Sequence, residues 1–576
     1  MPCCDAALFG EWYKTTGLWT GAGYPVYPGA LHPKGFLMRR LPARPLAAAL
    51  MLATLALPPA TARAEAPPVT EDGAKALAAA LKDGLARWFP KGKDDATELR
   101  WAGEPVATPA GDHYDVALPA LTAVSDDGTT ANIGTIRLTV KPQDGNTHAV
   151  TATLPDHVAI LDNGKPSASI RLGRQRISAL WSGTYETALS MDAELGDLSV
   201  TSDRKNKKGK KDDSALTVGA ITVAGELKPD GTAAAGTPLW SGPGAMSVSN
   251  LRFVDEAKKE VLNLAGLTME GTYTRVDLAR ADAMQRLTQA HALAGTQPPA
   301  AELIPLMQGL MAGTSGRVRL SGLKALNPED GTRLALGQLV LSGSAEDLDK
   351  PMASSTFGIE SSGLSLEPEV APKSFMPDKL DLHITTAKLP TASLWRAFAD
   401  LAALAETQAD ADAEGDEEED EEEAAQADEA EVAAIGNRLM GAMAEVGTEL
   451  RIDRFVVNTP ATSGTMTGAM RMAANSAFGA VGSSTVLLRG LDAAAKAMQP
   501  KPGRKADEDT QNVLGVIAML QAFGQASKDD AGNDVRSYKI DVTETGQLLL
   551  NGADMSALMG MGQPTPEPEP IQGKKR

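Results

Sequence analysis

The sequence predicts a mainly β fold with short helices, an α+β protein in which an extended, curved antiparallel β-sheet meander carries helices on one face. Three observations predict it: apolar and polar residues alternate with period two, turn dipeptides separate the alternating runs, and the helical signals are short. Alternation of this kind implies one wet and one buried face, as in antiparallel sheets. Parallel βαβ units would need a helix after nearly every strand, and such helices are missing.

Alternation marks the strands, and Asp-Gly or Asn-Gly pairs favour hairpin turns because these residues tolerate positive φ. The alternating runs are 136–140, 150–154, 189–195, 318–320, 380–384, 450–452 and 538–542. The turn pairs lie at 127–128, 144–145, 163–164, 230–231 and 330–331. A Leu-Trp-Ser-Gly motif at 180–183 recurs at 239–242 and suggests that successive sheet segments are related.

Helical periodicity is confined to short segments. We expect helices at 74–89, at 277–294 after a cap at Asp277, and at 301–311, 394–401, 432–446, 490–498 and 510–525.

Residues 38–64 have the pattern of a cleavable secretory signal peptide. Met38, Arg39 and Arg40 open a positive segment, 12 uncharged residues run from Leu46 to Leu57, and a small-x-small site predicts cleavage after Ala64. A retained anchor is the alternative, but the run is shorter than the ~20 residues that span a bilayer. We therefore expect a periplasmic protein without a transmembrane anchor, and translation that begins at Met38, which makes 1–37 an upstream extension.

Composition narrows the class of function. Both cysteines, Cys3 and Cys4, precede the signal peptide, so the mature chain has no disulfide, thiolate metal site or cysteine nucleophile. The formal charge of −19 argues against nucleic acid and against anionic membrane surfaces as partners. Aromatic residues make up only 4% of the chain, which does not suit an aromatic-lined sugar cleft.

Two charged segments interrupt the strands. Between residues 410 and 423, 11 of 14 residues are acidic, and we expect a disordered insertion because such a segment cannot bury enough apolar surface. The basic segment is either a solvated hairpin tip or a contact for an anionic partner. Its candidate contact residues are Arg204, Lys205, Lys207, Lys208, Lys210 and Lys211.

These boundaries predict seven parts of the chain. They are the upstream extension at 1–37, the signal peptide at 38–64, an N-terminal β-rich domain at 65–275, a helical hairpin plus second β segment at 276–403, the acidic insertion at 404–431, a C-terminal α+β segment at 432–561 and a disordered tail at 562–576.

Motifs of familiar enzyme chemistry are missing from the sequence. It contains no Gly-x-Ser-x-Gly elbow, Walker-type phosphate loop or His-Glu-x-x-His pair. The strongest constellation is Asp112, His113, Tyr114 and Asp115, where His113 and Asp115 share one face of a strand while Asp112 and Tyr114 face away. A solvent-exposed strand accounts for these four residues without a catalytic or metal-binding role. We therefore expect a non-enzymatic protein with no catalytic, cofactor-binding or metal-binding residue.

The C-terminal stretch carries a family resemblance. A helix at 509–525 leads to Tyr-Lys-Ile-Asp-Val at 538–542, then to Gly-Gln-Leu-Leu-Leu-Asn-Gly at 546–552 and a short helix at 555–559. Over about the last 130 residues the chain resembles the uncharacterised exported β-rich envelope proteins of proteobacteria, loosely the YdgA-like and AsmA-like families. The resemblance implies long curved sheets in the cell envelope, some of which hold lipid.

Three hypotheses follow. In the first, a sheet face binds lipid or another apolar ligand, unless it forms an ordinary closed core; its candidate residues are Ile136, Leu138, Val140, Leu189, Met191, Leu380, Leu382 and Ile384. In the second, the chain is an envelope protein-protein interaction scaffold that docks through its acidic insertion and basic tip. In the third, it is an enzyme with an unrecognised carboxylate site. The sequence leaves the ligand, the biological process and the oligomeric state open.

Overall fold

The computed structural model describes residues 66–89, 97–204, 212–234, 236–368, 373–414, 421–476, 478–499, 508–529 and 532–555. The signal peptide, the upstream extension, the C-terminal tail and the lysines of the basic segment lie outside the described residues.

All strand pairings are antiparallel where the register is defined, and helices separate groups of strands, which confirms the mainly β, α+β fold class. The chain divides into two compact units: unit 1 extends to Leu262 and adds Val276–Pro298, and unit 2 holds Asn263–Arg275 and the chain from Pro299 onward.

Within the described residues, unit 1 contains two helices and fourteen complete strands, and it shares a fifteenth strand with unit 2. These elements are α1 (Glu71–Trp88), β1 (Thr97–Ala102), β2 (Val106–Ala110), β3 (His113–Ala117), β4 (Ala120–Ser125), β5 (Thr129–Gly134), β6 (Arg137–Gln143), β7 (Thr147–Thr153), β8 (His157–Asp162), β9 (Lys165–Arg171), β10 (Arg174–Ser182), β11 (Thr187–Ser202), β12 (Ala215–Glu226), β13 (Lys228–Thr232), β14 (Pro238–Val254), the shared β15 (Glu260–Asp277) and α2 (Leu278–Ala294).

Two ladders of strands in unit 1 meet at the long strand β11. One ladder runs β2-β3-β6-β7-β10, and its last strand pairs with the first part of β11. The other runs β1-β4-β5-β8-β9, and its last strand pairs with Ser199–Ser202 at the far end of β11. The opposite edge of β11 pairs with β12, which pairs with β14.

Side chains from both ladders form one closed apolar core. Val140 and Ile177 come from the first ladder, and Leu121 and Ile160 come from the second. Helix α1 adds Leu77, Leu81 and Leu85, whose four-residue spacing places them on one side of the helix. The side chain of Thr70 caps this helix by accepting a hydrogen bond from the Gly73 amide at 3.0 Å.

Most of the predicted turns lie between paired strands, but one does not. Asp230 and Gly231 lie within β13, where the register with β14 shifts, so the hairpin turn follows them at 233–237. The Leu-Trp-Ser-Gly motifs also occupy different places, since Trp181 lies at the end of β10 and Trp240 at the start of β14. The two motifs therefore do not mark equivalent positions of a repeat.

The part of unit 2 that the structure describes carries five helices and twelve strands in addition to most of β15. They are α3 (Ala300–Met307), β16 (Gly313–Leu326), β17 (Arg333–Glu346), β18 (Met352–Ser362), β19 (Ser365–Glu367), β20 (Lys379–Pro390), α4 (Thr391–Glu414), α5 (Glu421–Val446), β21 (Glu449–Asn458), β22 (Ser463–Met472), β23 (Ala480–Arg489), α6 (Leu491–Ala497), α7 (Glu508–Phe523), β24 (Gln525–Lys528), β25 (Asp534–Val542), β26 (Leu548–Leu550) and β27 (Ala553–Asp554). A 3-10 turn spans Lys373–Phe375.

The strands of unit 2 form a single ladder. Consecutive pairings run β16-β17-β18-β20-β21-β22-β23-β25-β26-β27, while β19 and β24 pair beside β17 and β25. Each strand is joined to the next by a short turn or a helical segment, as a meander requires.

The acidic segment differs from its predicted disorder. Helix α4 continues to Glu414 and α5 begins at Glu421, so helix occupies 404–414 and 421–431. Alanine and glutamate dominate these residues, and both favour helix strongly. Intrinsic helix propensity therefore outweighs charge repulsion there.

The unit boundary also differs from the predicted division at residue 275. Residues 263–275 of β15 belong to unit 2, where Ser321 on β16 donates a hydrogen bond to the Gly266 carbonyl at 3.2 Å. Helix α2 belongs to unit 1, because Arg286 pairs at 3.3 Å with the buried carboxylate of Glu186. The chain thus passes from unit 1 into unit 2 at residue 263, returns to unit 1 for residues 276–298 and then continues in unit 2.

Two leucines should respond differently to truncation. Leu138 is 4% exposed in the closed core of unit 1, whereas Leu382 in unit 2 is half-buried. Leu138→Ala should lower the free energy of unfolding by about 2–5 kcal/mol through lost burial and a cavity. Leu382→Ala should lower it by less, about 1–2 kcal/mol, because part of this side chain already meets water. Urea denaturation measures both, and equal losses would contradict this assignment.

Candidate functional site

The predicted apolar-face residues belong to two different environments. Ile136, Leu138 and Val140 lie in the closed core of unit 1, and Met191 packs against it. Leu189 is also buried. For these five residues the structure shows a closed core and no open groove.

Leu380, Leu382 and Ile384 lie in unit 2, on one face of β20. All three are half-buried, with no fully buried member. The intervening residues Asp381 and His383 point to the opposite face, as strand alternation dictates.

The strand register extends this apolar face across unit 2. Residues directly opposite one another in paired strands place their side chains on the same face. One unbroken row of such partners consists of Val318, Leu341, Ile359, Leu382, Phe455, Met466, Val486 and Tyr538. Eight apolar or aromatic side chains from eight strands therefore lie side by side.

Neighbouring rows complete what we call the apolar face of unit 2. Its further members are Leu320, Leu339, Phe357, Leu380, Ile384, Leu450, Ile452, Val457, Met470, Leu488, Ile540, Val542, Leu548 and Leu550.

Several members of the apolar face remain in contact with water. Leu341 is 38% exposed, Phe357 49%, Leu450 47% and Met470 40%. Of the 17 large apolar side chains found exposed among the described residues, only Val106 and Leu293 belong to unit 1. Exposed apolar surface is thus concentrated in unit 2, and contiguous patches of this kind mark binding sites.

Helix α7 covers the β25 end of the apolar face. The Tyr538 hydroxyl donates a hydrogen bond to the Leu520 carbonyl at 2.6 Å, and burial raises the pKa of Tyr538. The Asn551 side-chain amide donates to the Phe523 carbonyl at 2.9 Å. Helix α7 therefore lies against this end of the row and leaves Leu341 and Phe357 exposed.

The opposite face of the same sheet, here called the polar face, carries a charged cluster. The Asp381 carboxylate is 3% exposed and lies 2.9 Å from Arg454 Nε, 3.3 Å from Lys379 Nζ and 3.3 Å from His383 Nε2. Glu360 Oε1 lies 3.4 Å from the same His383 nitrogen. The pairing of Arg454 on β21 with Asp381 on β20 stabilises the register of the two strands, because removing Arg454 would take a cationic partner from a buried carboxylate.

A shallow cavity of about 460 Å³ lies where β18, β20 and β21 meet. Its lining residues are Thr356, Phe357, His383, Ile384, Thr385, Asp453 and Arg454. Gly358 adjoins it, and a Cβ there would lie 2.5 Å from Ser342 Oγ and 2.9 Å from the His383 ring. Glycine at 358 thus lets the imidazole lie against the sheet.

The Asp112 constellation forms an ion-pair cluster in unit 1. Lys141 Nζ lies 2.6 Å from Asp112 Oδ2, and His113 Nδ1 lies 3.0 Å from Asp112 Oδ1. Asp115 Oδ1 lies 3.5 Å from His113 Nε2. The prediction that Asp112 faces away was wrong, because Asp112 belongs to the turn before β3 and not to the strand.

Arg204 is the described member of the basic segment. Its Nε donates to Ser167 Oγ at 2.7 Å, and its Nη2 pairs with Asp162 Oδ2 at 2.7 Å. These contacts hold the guanidinium against unit 1, so Arg204 does not serve as a free contact for an anionic partner.

Neither a metal-binding group of side chains nor a membrane-spanning helix occurs in the described ranges. No group of three or more His, Cys, Asp or Glu side chains there is arranged to hold a metal ion. None of the helices found there has the length and apolar character needed to cross a bilayer. The apolar face is the candidate site because its side chains form a continuous row across eight strands and several of its members stay exposed. The charged cluster lies on the opposite face of the same sheet.

Comparison of the chain with protein-family models, curated proteins and solved structures finds no match. The resemblance to YdgA-like and AsmA-like envelope proteins accordingly stays a prediction.

Replacing Lys141 should raise the pKa of Asp112. Hydrogen bonds from Lys141 and His113 lower this pKa from 3.8 to about 2. Because the folded-state pKa is depressed, the stabilisation is complete above pH 3.8 and is lost as the pH falls towards 2. Lys141→Met should raise the pKa by about one unit.

An NMR titration of the Asp112 side-chain carbon measures this change. Lys165→Met, which removes an ammonium group at the start of β9, should leave the Asp112 titration unaltered. An unchanged pKa in Lys141→Met would refute the ion pair.

Proposed function

We propose that this chain is an exported, non-enzymatic protein of the periplasm or cell envelope that binds the acyl chains of a lipid on the apolar face of unit 2. The observation that carries the proposal is the unbroken row from Val318 to Tyr538, several of whose neighbours stay exposed to water. Binding an apolar chain removes this surface from water, which is the dominant favourable term in association.

The dimensions of the row suit acyl chains. Eight strands at a spacing of about 4.8 Å make a row about 34 Å long. One acyl chain spans about half of a bilayer core, or about 15 Å. The row therefore offers length for two chains placed end to end, lying across the strands.

The chemistry of the row favours an apolar ligand without a reacting group. Its members are aliphatic, thioether or aromatic, and the hydroxyl of Tyr538 is engaged by the Leu520 carbonyl. Asp381 and His383, which alternate with Leu380, Leu382 and Ile384, lie on the polar face, whereas Arg536 shares the apolar face opposite Leu488. The Arg536 guanidinium donates a hydrogen bond to the Gly524 carbonyl at 3.2 Å, and an acyl chain lying along the row itself meets hydrocarbon contacts.

The predicted signal peptide supports the proposed compartment, since an envelope protein that holds lipid acts outside the cytoplasm. The predicted absence of a transmembrane anchor after cleavage supports a protein that carries its ligand on its own surface.

A charge on the apolar face should prevent binding. Phe357→Asp places a carboxylate beside Ile384 and should weaken the affinity for the fluorescent fatty acid cis-parinaric acid at least tenfold, because an acyl chain would desolvate that charge. Fluorescence titration measures the affinity. Circular dichroism and the melting temperature verify that the variant is folded.

The neighbouring residue provides a matched control. Thr356 is also exposed and is adjacent in β18, but its side chain lies on the polar face. Thr356→Asp should bind the fatty acid like the wild-type chain. No uptake by the wild type, or equal losses in the two variants, would reject the proposal.

A further inference from the structure

Helix α7 carries apolar side chains on two of its sides, and only one of these sides packs inward. Ile517 is buried, and Leu514 and Leu520 are half-buried on the side that packs inward. A second set of apolar residues, Val513, Val516, Met519 and Phe523, follows a spacing of three, three and four residues. This spacing defines one side of a helix, which we call the outer stripe.

The outer stripe is open to water along the whole helix. Val513 is 41% exposed, Val516 51%, Met519 51% and Phe523 44%. Four large apolar residues in succession at this exposure are uncommon on a free protein surface, where isolated ones are normal.

The outer stripe ends beside the apolar face of unit 2. Phe523, its last member, accepts a hydrogen bond at its carbonyl from Asn551, and Leu520 one turn earlier accepts from Tyr538 at the end of the row. A single helix thus connects an exposed apolar stripe with the end of the proposed binding row.

We infer that the outer stripe of α7 inserts into a lipid bilayer surface and places the apolar face next to the source of its ligand. The inference rests on the proposed function, and it adds the partner that supplies the lipid. An amphipathic helix lying in the interface buries its apolar side to a depth of about 5–10 Å. That depth suits a stripe that is one helix side wide.

The size of the stripe favours a bilayer over a second copy of the chain. At about half exposure, four large side chains present on the order of 300 Å². A stable protein–protein interface needs about 800 Å² from each partner. Insertion into lipid has no such requirement, because the bilayer surrounds whatever apolar surface enters it.

The test compares two variants that add the same charge to α7. Val516 lies at the centre of the outer stripe, and Ala518 lies about 160° around the helix and is also exposed. Flotation with vesicles of phosphatidylcholine, which carry no net charge, should show a vesicle-bound fraction for the wild-type chain. Val516→Asp should reduce it at least tenfold, and Ala518→Asp should leave it unchanged.

Uptake of monomeric cis-parinaric acid separates this inference from the proposed function. If Val516→Asp loses vesicle binding and keeps fatty-acid affinity, both hold. If the wild type takes up the fatty acid but does not bind vesicles, or if both variants bind vesicles equally, the inference is overturned and the proposed function stands. If vesicles bind but the fatty acid does not, the proposed function fails instead. Sedimentation that shows a dimer dissociated by Val516→Asp would assign the stripe to a second copy and also overturn the inference.

Discussion

A β-sheet face leaves water only when a second layer covers it, and the two units of this chain differ in whether they contain that layer. In unit 1 two ladders converge on β11, so their apolar sides face each other and α1 contributes further leucines to the core. In unit 2 one ladder alternates apolar and polar faces in the same way, but no second ladder covers it in the described residues, where its companions are helices, among them α4 and α5 of 24 and 26 residues. The closed core and the exposed apolar face both follow from this difference.

The apolar face depends on register as much as on composition. A slip of one residue in any strand would send its apolar side chains to the polar face. Between β20 and β21 the extra residue Asp453 forms a bulge between Arg454, which pairs with His383, and Ile452, which pairs with Ile384. Ile452 and Phe455, an odd number of positions apart, therefore lie on the same side. The bulge therefore preserves the row, and the pairing of Arg454 with the buried Asp381 holds the bulge in place.

Local patterns in the sequence located several of the elements but did not show which sheet faces they leave exposed. Alternation located β20 and β25, and capping located α2 at Asp277, because these signals are local. The same alternation at Leu138 and at Leu382 led to a closed core in one place and an open face in the other. Phe357 and the outer stripe of α7 were missed, since β18 is rich in serine and glycine and the exposure of a helix side depends on its neighbours. Burial is a property of distant contacts, which single-sequence periodicity does not encode.

Strand β11 also imposes an order on assembly. It spans 16 residues, and both ladders of unit 1 end on it. The last strands of the two ladders, β10 and β9, each lack a hydrogen-bonding partner on one side until β11 is in place. The formation of β11 therefore couples strand pairs that lie far apart along the chain. Unit 1 should accordingly open in one cooperative step, with backbone amides in β9 and β10 exchanging their hydrogens at the same rate as those in β11 itself.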